Sequence, residues 1–162
     1  LTGGWRMSGQ ASAQGAPTPE QIAAAQTLLV ARGLSASGLW RNQRESFVAG
    51  LAERNVIPEN AQHSFGRAYL RTVLAPEAMS EVDRVFASGF AEAMTAQERA
   101  DPSAVSPERQ LELVRQAESG MSPLLRSIHV AGIADGCEES RARAALCLGV
   151  DVMLGPNNRW RR

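Results

Sequence analysis

The chain contains no lysine, and all 17 of its fixed side-chain cations are arginine. They are matched by 17 acidic residues, so no net field draws the chain to nucleic acid, which is not an expected partner. Arginine suits bidentate contact with carboxylates, although GC-rich coding bias gives the same composition. Aromatic residues are scarce, at 5%, so alanine, leucine and valine must fill most of the interior. Only two histidines occur, with no HExxH and no paired CxxC spacing, and neither a metal nor a cofactor is expected. The chain lacks a P-loop, a dinucleotide fingerprint and a G-x-S-x-G elbow, which removes the standard nucleotide sites and that nucleophile arrangement. No apolar run approaches the roughly 18–20 residues that cross a bilayer, so no transmembrane segment is expected.

What is present is helical patterning. The 162 residues suffice for one domain with a sizeable core. From Pro76 to Ala100, apolar residues recur at alternating spacings of three and four through Met79, Val82, Phe86, Gly89, Ala93 and Ala96. The acids gather toward the start of this stretch, where the helix dipole favours them. It predicts one long two-sided helix around which the others pack. Thr18-Pro19-Glu20-Gln21 is a helix start, with Thr as cap, Pro in the first turn and Gln three residues on, and Gly33 is its stop. A second helix is predicted from about Leu39 to Arg54, and a third from Pro58 to the break before Pro76. Ser106-Pro107 opens a fifth, interrupted by Gly120 and Pro123, with a further buried piece over Leu124–Ile133. Cys137–Leu154 reads either as helix or as a short helix followed by an extended run, because Leu148, Val150 and Val152 alternate. The expected fold is all-α: an irregular bundle of five to seven helices. Residues 1–17 are expected to be a flexible arm, 18–154 a single helical domain and 155–162 a tail.

Cys137 and Cys147 are the only cysteines, and two readings compete: a disulfide, or two free thiols. On one continuous helix their Cα atoms would lie roughly 15 Å apart, whereas a disulfide needs about 4.4–6.8 Å. A bridge therefore requires the chain to turn back between them. Ala11-Ser12-Ala13 has the small residues of a signal-peptidase site. Together with the cysteines it points to a periplasmic or secreted protein, with a cytoplasmic one as the alternative.

Two readings concern chemistry. Glu118-Ser119-Gly120-Met121-Ser122-Pro123, followed by Ser127, resembles the catalytic stretch of soluble lytic transglycosylases. The resemblance implies a glutamate at a helix end acting as acid and base on a peptidoglycan glycosidic bond, which makes Glu118 the catalytic candidate. That family's Gly-Leu-Met-Gln element and later Tyr-Asn pair are missing here. The same residues also read as a helix stop at Gly120 and a new start at Pro123. The leading expectation is instead a non-enzymatic binding or adaptor protein of a bacterial envelope or secretion pathway. It would hold a protein partner's segment or an apolar ligand in a groove lined by Trp40, Phe47, Phe86, Phe90 and Met94, with ordinary core as the competing reading. A self-assembling structural subunit is the third expectation. Arg41 and Arg44 beside Trp40, and Arg159-Trp160-Arg161-Arg162, read as solvated edges or as interaction sites for an anionic partner.

Overall fold

A computed structural model describes residues 15–162, and these are helical, with no strand among them. The order is α1 (Pro19–Ala31), α2 (Ala36–Glu53), α3 (Glu59–Val73), α4 (Pro76–Ala93), α5 (Ala96–Ala100), a 3-10 turn (Pro102–Ala104), α6 (Pro107–Ser119), α7 (Ser122–Ser140), α8 (Ala145–Leu148) and α9 (Val150–Leu154). The all-α irregular bundle stands. The arm and the Ala11–Ala13 site lie outside the described residues, apart from 15–17. The described residues divide into two compact units, each discontinuous in sequence: residues 15–35 with 83–122, and residues 36–82 with 123–162.

Local signals explain most boundaries. Thr18 Oγ1 accepts from the Gln21 amide at 3.1 Å while Gln21 Oε1 accepts from the Thr18 amide at 2.9 Å, a complete capping box. Gly33 adopts φ +71°, the left-handed stop that a side chain resists. The helix expected to run unbroken to Ala100 stops at Ala93 and restarts at Ala96. The cause is a second capping box, Thr95 with Glu98, at 3.1 and 2.8 Å. That Thr-x-x-Glu signal overrides the continuing apolar period.

In the first unit, arginines close helix ends. Arg99 is buried, and donates Nε to the Ala91 carbonyl at 2.8 Å and Nη2 to that of Glu92 at 3.3 Å. Arg109 reaches the Ala93 carbonyl from Nη2 at 3.2 Å and pairs with Glu98 through Nε at 2.8 Å. Two cations thus sit on the carbonyls at the end of α4, where the dipole favours positive charge. The pairing holds the Glu98 carboxyl below the usual range and raises Arg109. Arg32, just past α1, donates to the carbonyls of Val105 and Ser103, tying that helix to the turn before α6.

In the second unit, α7 is buried at every residue from Val130 to Gly136. It is a single 19-residue helix, separate from α6, that contains the buried piece expected over Leu124–Ile133 and runs on to Ser140. Gly132 and Gly136, one turn apart, remove the side chains that would keep α3 away. A Cβ at 132 would lie 2.5 Å from Val73 Cγ1, and one at 136 would lie 2.8 Å from the Phe65 ring. The organising helix of this unit is therefore α7, not the amphipathic α4.

Candidate functional site

The structure places the expected groove residues inside. Phe86, Phe90 and Met94 of the first unit and Trp40 of the second are buried, so they are core and offer no wall to a ligand. Phe47 alone keeps partial exposure. Their apolar bulk on helical spacing is what a core requires, and the sequence pattern is the same for core and groove.

Trp40, Arg44 and Phe47 share one face of α2 and meet α3 and α7 in a polar cluster. The Trp40 indole donates to the Val73 carbonyl at 2.8 Å. The Arg44 guanidinium lies 4.6 Å from the Trp40 ring centre and 5.8 Å from that of Phe47. Its Nη1 is 3.0 Å from His129 Nδ1 and 3.4 Å from the Tyr69 hydroxyl, which is itself 2.7 Å from the same Nδ1. Arginine only donates, so Nδ1 must accept and the imidazole proton resides on Nε2. Burial, reinforced by the Arg44 charge, pulls His129 down to about 4, and burial pushes Tyr69 up to about 12. A neutral imidazole and a neutral phenol thus surround a permanent cation. With its lone pair already engaged, Nδ1 is not a free base, and the cluster clasps three helices rather than moving protons.

Asp135 is the most deeply placed acid among the described residues, 4% exposed on α7. Its Oδ2 accepts from the Thr72 hydroxyl at 2.6 Å and the Arg162 amide at 2.9 Å, and its Oδ1 from Arg161 Nε at 2.7 Å. Hydrogen bonding to Asp135 raises Arg161 against the opposing effect of burial. Residues 155–162, expected as a tail, are therefore strapped onto this unit, with Trp160 buried and Asn158 Nδ2 donating to the Ser127 carbonyl at 2.9 Å. Asp135 falls between the segments Leu124–Ile133 and Cys137–Leu154 read from the sequence and was not singled out there. An acid inside the run from Val130 to Gly136 was the available sign that a cation must come to it.

Glu118 is exposed on the last turn of α6. A cleft of about 500 Å³ in the first unit opens beside it, where Gly89 of α4 approaches Ala117 of α6 closely enough that a Cβ at 89 would lie 3.2 Å from the Ala117 Cα. Arg84, Ser88, Glu92, Gln116 and Ser119 give the cleft its polar lining, and Glu118 is not part of it. The acid–base role asks for a desolvated carboxyl at a cleft wall, and Glu118 stands in solvent. Among the described residues no group of three or more His, Cys, Asp or Glu side chains is arranged to hold a metal ion.

Cys137 and Cys147 form a disulfide, with Cα atoms 5.6 Å apart. The required reversal follows α7: Arg141 adopts φ +54°, and the Ala142 amide donates to Ser140 Oγ at 3.2 Å. Of the two readings of Cys137–Leu154 the helical one holds: α8 carries Cys147 itself and α9 follows it. Val150 is buried there, while Leu148 and Val152, four residues apart, are 82% and 89% exposed and Met153 is also exposed. This makes a small apolar ledge held in place by the disulfide next to it. No single helix among the described residues is long and apolar enough to cross a membrane. Comparison with protein-family models, curated proteins and solved structures returned no match, so the functional reading rests on the geometry alone.

Proposed function

We propose that the protein is a non-enzymatic binding protein of an oxidising, extracytoplasmic compartment, where it holds a partner protein of an envelope or secretion pathway through the ledge at residues 148–153. The observation that carries this reading is the exposure of Leu148, Val152 and Met153 together on two short helices. Large apolar side chains clustered in this way are a usual mark of a contact surface. Covering Leu148 and Val152 would contribute about 3–5 kcal/mol before the costs of association. The Cys137–Cys147 bridge supports both parts of the reading: it fixes the ledge in advance, and it belongs where disulfides persist. The partner surface is expected to be apolar or amphipathic, and the contact lies on this ledge rather than in a groove lined by Trp40 and Phe86.

The test is site-specific photo-crosslinking in the producing cell, with the reactive group at position 152 and, as control, at the exposed Glu20. One discrete adduct from position 152, absent from position 20 and lost on Leu148→Glu, is expected. No adduct, or the same adducts from both positions, would sink the proposal. The ledge also favours a second reading, a self-assembling subunit covered by another copy. An adduct of twice the chain mass, with a mass in solution that rises with concentration, identifies that case.

A further inference from the structure

The strap over Asp135 has the composition of a ligand. Residues 159–162 carry three arginines and a tryptophan, and each arginine meets an acid of the second unit. Arg159 lies 3.9 Å from Glu81, Arg161 pairs with Asp135 and Glu138 at 2.7 and 2.9 Å, and Arg162 pairs with Glu77 at 2.9 Å. Four carboxylates thus face the three cations of the strap. The buried Trp160 adds an apolar anchor, and Arg159 stacks on its ring at 4.2 Å. The strap follows the exposed turn at Gly155, which adopts φ +76° and has open space around it. Nor does the strap fill its seat. A cavity of about 300 Å³ adjoins residues 159–162, and another, bordered by Arg71, Asp135, Glu138, Glu139, Arg141 and Arg162, has a similar volume.

We propose that the groove formed by Glu77 and Glu81 of α4 and Asp135 and Glu138 of α7 is a recognition site for a basic, tryptophan-bearing segment of a partner protein, and that residues 158–162 are its exchangeable resident occupant. Recognition divides between two kinds of contact. Asp135 fixes the register by accepting one backbone amide and one guanidinium, while the outer carboxylates steer the basic segment in. A partner segment must outcompete a tethered one, so the strap also sets a threshold for binding. The site is separate from the apolar ledge and does not depend on it.

The experiment replaces Pro156 and Asn157 with a protease recognition sequence, so that the chain folds intact and is cut only afterwards. The cut protein is passed over gel filtration and then titrated with a fluorescent Asn-Arg-Trp-Arg-Arg peptide by anisotropy. Release of the native segment and saturable peptide binding are expected, weakened roughly tenfold between low and high salt. Glu77→Gln with Glu81→Gln should lower the affinity while leaving the helical circular dichroism unchanged, and Asp135→Asn should lower it further. The double glutamate variant keeps the test decisive if Asp135→Asn fails to fold. Retention of the cut segment with no exchange, unfolding on its release, or equal binding of an Asn-Glu-Trp-Glu-Glu peptide would each overturn the proposal and leave the strap as a structural element only.

Discussion

Gly132→Ala separates the two physical effects that meet on α7. By helix propensity alone, alanine is favoured over glycine within a helix by about 0.8–1.0 kcal/mol. Packing opposes this. The new methyl would lie 2.5 Å from Val73 Cγ1 and 2.8 Å from Tyr69 Cδ1, and neither neighbour is free to retreat. Both are fully buried, the Tyr69 hydroxyl is engaged by His129, and the Val73 carbonyl is engaged by Trp40. Overpacking of this kind costs about 1–3 kcal/mol, and the upper part of that range applies because two rigid neighbours are struck. The net expectation is a loss of about 1–2 kcal/mol, with a midpoint lower by about 2–4 °C for each kcal/mol. Urea and thermal unfolding followed by circular dichroism would measure it. Gly149→Ala is the control, since a Cβ there meets nothing within 4 Å. Val73→Ala in the same background should recover part of the loss, with a coupling of about 0.5–3 kcal/mol. A Gly132→Ala protein more stable than wild type, or a coupling near zero, would refute the argument that this glycine exists for close approach.

Other outcomes follow from the polar contacts. Asp135→Ala should destabilise by about 3 kcal/mol, toward the lower end for a broken buried pair because Arg161 retains Glu138; denaturant unfolding measures it. Thr95→Ala should cost about 0.5–2 kcal/mol and fray α5, seen as faster amide exchange over residues 96–99. Replacing both cysteines by serine should cost about 2–3 kcal/mol, and a free-thiol count on the native protein should find none. His129 is depressed to about 4 in the folded chain against an ordinary 6.5. The unfolded chain therefore binds more protons between these values, and the contribution is full above about pH 6.5 and lost as pH falls toward 4. After allowance for partial solvent screening this is on the order of 2 kcal/mol, and His129→Gln should flatten that part of the stability profile.

Legibility in the sequence followed the range of the interaction. Thr18, Gln21, Gly33, Ser106 and Pro107 announce helix ends because a cap is satisfied within three or four residues. Thr95 and Glu98 carry the same signal, but it was hidden beneath an apolar period that continued past them. The disulfide was half legible: the two cysteines stood out, whereas the reversal at Arg141 that joins them came from the fold. The groove was not legible, because Phe86, Phe90 and Met94 have the same spacing whether they line a cleft or fill a core.

Composition and spacing by themselves determined that the fold of the described residues is all-α, where most of its helices begin, and that the two cysteines pair only across a chain reversal. These are consequences of hydrogen bonds and periodicities a few residues long. The tertiary structure alone decided that α7 lies at the centre of its unit, that Arg44 clasps His129 and Tyr69, and that residues 158–162 come back to Asp135. Those contacts join residues 25 to 85 positions apart, where no local pattern records which face a helix will bury or which cation will reach a buried acid.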